Sequence, residues 1–245
     1  MEPETQNTHD WHKTRTFGVI LANLFRVGMF TRWIVVNGWD NFPHGEGGIV
    51  LAPNHPSLLD PLIMVALFHK AYSRQPELFG PYTFADTENY TKNNWWSKFN
   101  QRLLPIMRPE KDWSEERLRQ AHDINTVTLQ KARRILKGNG NVIIFAEGGR
   151  TPSSTERIPS QNGKELRPLH ETAALLARLS SARIAPVWIR ITWGPHFRFR
   201  SKDYWIPKRI YLSCGKPITV SRTDEDKVVT RRIEQVLLTL ANDAS

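Results

Sequence analysis

The sequence predicts an α/β fold: a single domain with a mixed, largely parallel sheet flanked by helices, preceded by an N-terminal amphipathic helix. Two short apolar runs, GGIVLAPN and NVIIFAE, have the length and Ile/Val/Leu content of buried strands and end in polar or glycine-rich turns. Helical patterns alternate with such runs along the chain, which is the arrangement that covers a sheet with helices. The 245 residues contain no Pro/Gly/Ser-rich linker, so one core is expected.

Taken in order, residues 1–32 form an N-terminal helical segment and residues 33–245 the domain proper. Within the segment, Phe17, Ile20, Leu21, Leu24 and Gly28 share one helical stripe. Arg26 and Arg32 break the apolar run FGVILANLFRVGMFTRWIVV well below the roughly 18 residues that a spanning helix needs. Two roles fit this helix: packing on the domain's own core, or lying in a membrane interface with Trp33 and Trp39 at its end.

GGIVLAPN is a strand that stops at Pro53 and Asn54, and DPLIMVALFHKAY is a helix with Asp60 at its cap and Pro61 at its first position. A Trp/Asn-rich loop and QRLLPIMRPE lead to a longer helix over 114–137, stopped by Gly138 and Gly140. NVIIFAE delivers Glu147 into the turn GGRTPSS, and TERIPSQNGKELRP reads as a polar loop. HETAALLARLS is a helix, ARIAPVWIRITW and KRIYLSCG are strands, and DEDKVVTRRIEQVLLTLAN is a closing amphipathic helix.

Composition narrows the function. Hydrophobic content of 40% with 24% charged residues excludes a disordered chain and a multi-span membrane protein. The single cysteine, Cys214, allows neither an internal disulfide nor a cysteine-based zinc site, and no signal peptide is recognised, so a reducing cytoplasm is expected. A net charge of +10 and a pI near 9.9 call for a polyanionic partner. The excess concentrates between Arg183 and Lys216, where eight Lys/Arg face one acid, Asp203, among interleaved aromatics. Such a stretch suits a nucleic-acid surface, a membrane surface or a solvated strand face.

The stretch NHPSLLD places His55 five residues before Asp60. On a helix the two side chains would diverge by about 140°. Pro56 and Pro61 instead keep both residues out of helical angles, so a bend can bring them together. A carboxylate on one imidazole nitrogen fixes the tautomer and leaves the other as a general base. The alternative is structural: Asp60 as a helix cap and His55 as a turn residue. Ser57 lies nearby, but no GxSxG elbow surrounds it, so it ranks as a positioning residue rather than a nucleophile.

In FAEGGRT, Glu147 and Arg150 can both project from a strand's carboxyl end, where open α/β sheets bind ligands. Arg150 can fork phosphate oxygens, and Glu147 can accept from a hydroxyl or hold Arg150; a purely structural Glu/Arg pair is the alternative. No GxxxxGK[ST] phosphate loop occurs.

In order along the chain, these blocks resemble the glycerolipid acyltransferases of the lysophosphatidate acyltransferase type, which carry an Asn-His-x4-Asp block and a Phe-Pro-Glu-Gly-Thr-Arg block. Here the first is NHPSLLD and the second FAEGGRT, with Ala146 in place of the proline and Gly149 in place of the threonine. LLPIMR, ending in Arg108, is similar to the block with a second acceptor-binding arginine, and RIAPVWI, with Pro186, to the fourth block. The resemblance extends from about Trp33 to the C-terminus, through VVNGWDNFPHGEGGIVLAPNH and RIYLSCGKPI.

The resemblance implies that His55 is the base on an acceptor hydroxyl, oriented by Asp60, and that the hydroxyl attacks the thioester of acyl-CoA or acyl-carrier protein. Glu147, Gly148, Arg150 and Arg108 would hold a lysophospholipid acceptor, with Ser57 and Asn54 beside them. No metal or other cofactor is implied, since the thioester is a co-substrate. The expected setting is cytoplasmic and peripheral, on the anionic inner face of the cytoplasmic membrane. An amino-acid lipid, glycolipid or other lyso-lipid is the alternative acceptor. A basic nucleic-acid-binding module would explain the charge but neither motif, so no nucleic-acid partner is expected.

Overall fold

Alternation along a single strand shows how the sheet is sandwiched. In β2 (Ile49–Pro53), Val50 and Ala52 belong to one hydrophobic core and Ile49 and Leu51 to the other, all buried. A fully buried strand with apolar residues on both faces is what a largely parallel sheet covered by helices requires. The structure is a computed structural model and describes residues 8–72, 80–87, 102–110, 112–153, 155–199 and 202–243.

The chain runs α1 (Thr8–Phe30), β1 (Ile34–Asn37), β2, α2 (Asp60–Ala71), β3 (Tyr82–Asp86), β4 (Leu103–Ile106), α3 (Glu115–Lys137) and β5 (Val142–Ile143). It continues through β6 (Ile158–Pro159), β7 (Glu165–Leu166), α4 (Thr172–Ser180), β8 (Arg183–Phe199), β9 (Lys202–Cys214) and α5 (Asp226–Asp243). The main sheet has the order β1-β9-β8-β2-β5-β3-β4. Every neighbouring pair is parallel except β8 with β9. Helices α1 and α2 cover one face through Phe25, Met64, Leu67 and Phe68, whereas α3, α4 and α5 cover the other through Leu136, Leu176, Ile233 and Leu237.

This is the expected α/β domain, with local differences. Strands β3 and β4 were not anticipated, and the Trp/Asn-rich loop between them lies largely outside the described residues. The polar stretch after Arg150 is not all loop, because β6 and β7 pair as a small antiparallel hairpin. Helix α3 starts as its sequence suggests, with the Ser114 hydroxyl accepting from the Arg117 N–H. In α2 the cap position is Leu59 rather than Asp60, which is the first helical residue. Its carboxylate is thereby turned back onto the preceding loop.

The predicted stripe on α1 splits. Ala22, Phe25 and Gly28, three residues apart, are buried, with Leu21 and Met29 half-buried beside them. Ile20 and Leu24 point outward with Val19, Val27 and Phe30, and the Phe17 side chain lies outside the described ones. Helix α1 is therefore apolar on two sides, one seated on the α2 layer and one bare.

Strands β8 and β9 run on beyond the sheet. β8 pairs with β2 only over Arg183–Val187, and β9 with β1 only over Ile210–Ser213. From Trp193 to Pro207 the described ladder joins the two strands only to each other, so they leave the sheet as an arm. The Trp33 indole N–H donates to the Pro207 carbonyl at 2.8 Å and ties the root of the arm to the end of α1.

Cys214 closes β9 inside the core, and burial pushes its thiol up to about 12. A thiol reagent should therefore find no reactive sulfur in the folded protein and one per chain in denaturant. A native-state reaction at the rate of a free thiol would show that this end of the sheet opens.

Candidate active site

The candidate residues converge at the carboxyl ends of four adjacent strands. His55 follows β2 and Glu147 follows β5, while Asp86 ends β3 and Arg108 follows β4. Because those strands are parallel neighbours, chain segments distant in sequence end side by side.

His55 and Asp60 meet. The His55 Nδ1 lies 2.8 Å from Asp60 Oδ2, and the bend that brings them together is held by Ser57. The Ser57 N–H donates to the same Oδ2 at 2.7 Å, and its hydroxyl donates to Oδ1 at 2.7 Å while accepting from the Leu59 N–H. A carboxylate accepting from Nδ1–H fixes the tautomer with Nε2 bare. Asp60 is fully buried, whereas the His55 side chain keeps 17% of its surface exposed. Burial pushes the Asp60 carboxyl above its usual range, and the bonds from His55 and Ser57 pull against that shift. The Phe145 ring lies against the imidazole at 4.4 Å between centroids and covers one side of it.

Glu147 holds the adjoining loops together. Its fully buried carboxylate accepts the His55 N–H at 2.6 Å and the Arg167 N–H at 3.1 Å, and the Thr151 hydroxyl donates to it at 2.7 Å. The Thr151 N–H in turn donates to the His55 carbonyl at 2.9 Å. Burial raises the Glu147 carboxyl as well, opposed by Thr151, His55 and Arg167. The sequence reading gave this carboxylate to an acceptor or to Arg150, but its oxygens are committed to the protein's own loops. Asn54, also grouped with the acceptor, continues the sheet: its amide donates to the Ile189 carbonyl at 3.0 Å and its oxygen accepts the Ile189 N–H at 2.6 Å. Ser57 works entirely on Asp60 and its own turn.

Arginines form the rim. Arg108 pairs with Asp86 through Nε at 2.8 Å and Nη2 at 2.6 Å, and its Nη1 donates to the Gly148 carbonyl. Arg150 is exposed on the same loop. Gly148 has φ +63, and a Cβ there would stand 2.5 Å from His170 Nε2. Only glycine adopts that turn without strain. Among the described residues, the site thus offers an imidazole whose Nε2 has no hydrogen-bond partner, at the sheet edge beside arginines from two loops.

A family profile described as acyltransferase matches residues 33–190, which include the His55–Asp60 pair, Arg108 and the Glu147 loop. The chain belongs to the acyltransferase family. Among solved structures it is similar to one titled as the 1-acyl-sn-glycerophosphate (LPA) acyltransferase PlsC from Thermotoga maritima, with a TM-score of 0.60 and 17% identity over 98% of this chain and 84% of that chain. At that identity the likeness is one of fold. No curated protein matches the sequence.

Three residues of this candidate site were missed from the sequence: Asp86, Thr151 and Arg167. Thr151 directly follows Arg150, and its place beside a buried carboxylate was the one available signal. Asp86 and Arg167 come from segments that only the topology brings in.

Removing the Glu147 carboxylate leaves two part-buried N–H groups and a buried hydroxyl without their acceptor, each worth about 1–3 kcal/mol. Glu147→Ala should therefore lower unfolding stability by about 3 kcal/mol or more, read as a fall in the urea midpoint. A change within about 0.5 kcal/mol would mean that the loops hold together without it.

Proposed function

We propose that this chain transfers a fatty acyl group from an acyl thioester, carried by CoA or by acyl-carrier protein, to the hydroxyl of a lysophospholipid. The observation that carries the reading is the His55 Nδ1 to Asp60 bond of 2.8 Å with Nε2 left bare at the open sheet edge. Nε2 takes the acceptor hydroxyl's proton as its oxygen attacks the thioester carbonyl, and Asp60 stabilises the imidazolium that forms. The tetrahedral adduct collapses by breaking the carbon–sulfur bond, and the departing thiolate recovers the proton from His55. The products are an ester and a free thiol. A base placed in this way contributes roughly 10²- to 10⁴-fold.

Arg108 and Arg150 favour an acceptor with an anionic headgroup, and 1-acylglycerol-3-phosphate is the acceptor this reading prefers. Leu58, exposed between His55 and Asp60, offers apolar surface to an acyl chain. The bare side of α1, with Val19, Ile20, Leu24, Val27 and Phe30, adjoins exposed Trp33 at the root of the β8–β9 arm, and Trp193 is exposed on the arm. Among the described residues no helix is long and apolar enough to cross a membrane. With a net charge of +10, this surface supports peripheral binding to an anionic bilayer such as the inner face of the cytoplasmic membrane.

The test is release of free thiol from acyl-CoA and from acyl-carrier protein, with and without 1-acylglycerol-3-phosphate, and lipid products identified. Wild type should release thiol in an acceptor-dependent way, and His55→Ala should lose at least 100-fold while melting normally. Retained activity in that variant would sink the base. Release only with a different lyso-lipid, an amino-acid lipid or a glycolipid would keep the chemistry and change the acceptor. Flotation with liposomes should strengthen as anionic lipid is added, and Leu24→Glu with Val27→Glu should weaken it; no flotation at low salt would contradict the membrane role.

A further inference from the structure

Gly149 leaves a space that two guanidinium groups share. A Cβ built on Gly149 would stand 2.6 Å from Arg167 Nη1 and 3.1 Å from Arg108 Nη1, so these nitrogens are no further apart than the sum of the two distances. Arg108 is paired with Asp86. Among the described residues the Arg167 guanidinium has no acidic partner, although the side chain is half-buried. Its backbone is fixed independently: the Arg167 N–H donates to Glu147 at 3.1 Å and the His170 N–H to the Ala146 carbonyl at 2.8 Å. Two like charges held this close, with one carboxylate between them, leave a positive excess that an incoming anion relieves. A Cβ at position 149 would make the Arg167 guanidinium, the far end of a flexible side chain, shift from this place.

We propose that Arg167 is a specificity-determining residue of the acceptor site, clamping with Arg108 the headgroup of a phosphate monoester, and that Gly149 is what admits it. A monoester presents three free oxygens and up to two charges, whereas a phosphodiester presents two oxygens and one charge. The Arg167 fork, beside the N–H groups of Arg108 that Asp86 and Gly148 leave over, discriminates between them better than one cation. The site therefore selects acceptors whose phosphate is uncapped. This deepens the acyl-transfer reading, which supplies the rest of the ligand, but the anion site itself stands on the arginine geometry.

The experiment is isothermal titration of the full chain with glycerol 3-phosphate, a monoester, and glycerophosphoglycerol, a diester, alongside acceptor KM and kcat in the transfer assay. Wild type should bind the monoester more tightly. Arg167→Gln keeps the backbone bond to Glu147, so it should melt as wild type does and yet weaken monoester binding at least tenfold with little change for the diester. Arg167→Lys should recover part of the loss, and Gly149→Thr should act in the same direction as Arg167→Gln. In transfer, the loss should appear in acceptor KM rather than kcat. Equal monoester binding by wild type and Arg167→Gln, or no binding of either probe by wild type, would overturn the proposal. Arg167-dependent binding without acyl transfer would instead sink the proposed reaction and leave the clamp standing.

Discussion

The site depends on one buried carboxylate. Glu147 accepts from the His55 backbone, from Arg167 and from Thr151, and so joins the loop after β2, the loop after β5 and the segment after β7. With the Thr151 N–H to His55 carbonyl bond, it holds the loop that carries the imidazole against the loop that carries Arg150. The bond is possible because β2 and β5 are parallel neighbours, so both loops leave the same edge of the sheet. Sheet order thus becomes site geometry through one buried side chain and the backbone bond beside it.

That arrangement costs stability. Both Asp60 and Glu147 are fully buried, and burial pushes both carboxyls up, against the hydrogen bonds that favour their charged forms. A solvated pair would be cheaper for the fold, but it would not hold an imidazole in one tautomer with one orientation. Donors fixed before the substrate arrives need no rearrangement during reaction, which is where such sites gain rate. The two apolar cores on either face of the sheet supply the stability that the buried carboxylates draw on.

What could be read from the sequence was what is local. The His55–Asp60 pair lies within six consecutive residues, so the bend that joins them followed from spacing and proline placement, although Asp60 is already helical rather than kept out of the helix by Pro61. β2 is an unbroken apolar run and α2, α3 and α5 are bounded helical stretches, and all appear near their expected places. β4 escaped because Pro105 reads as a strand breaker, yet β4 is an edge strand where an exposed proline is tolerated. The β6–β7 hairpin has two-residue strands, too short for any alternation to register. β8 and β9 outran their predicted ends because beyond the sheet they need only each other. Glu147 was found, but its donors at His55 and Arg167 were not, since they lie 92 and 20 residues away. The α1 stripe misled because the helix is apolar on two sides, and periodicity alone does not say which side is seated.

The proposed reaction requires that His55 carry its proton on Nδ1, toward Asp60, and its lone pair on Nε2. Nitrogen-15 spectra of histidine-labelled protein, with His55 assigned by comparison with His55→Ala, report that tautomer directly under the conditions of the transfer assay. The expected result is a protonated Nδ1 and an unprotonated Nε2 for His55, a pattern that Asp60→Ala abolishes while the protein stays folded. A His55 protonated on Nε2 in the wild type, or one whose tautomer ignores Asp60, would contradict the mechanism.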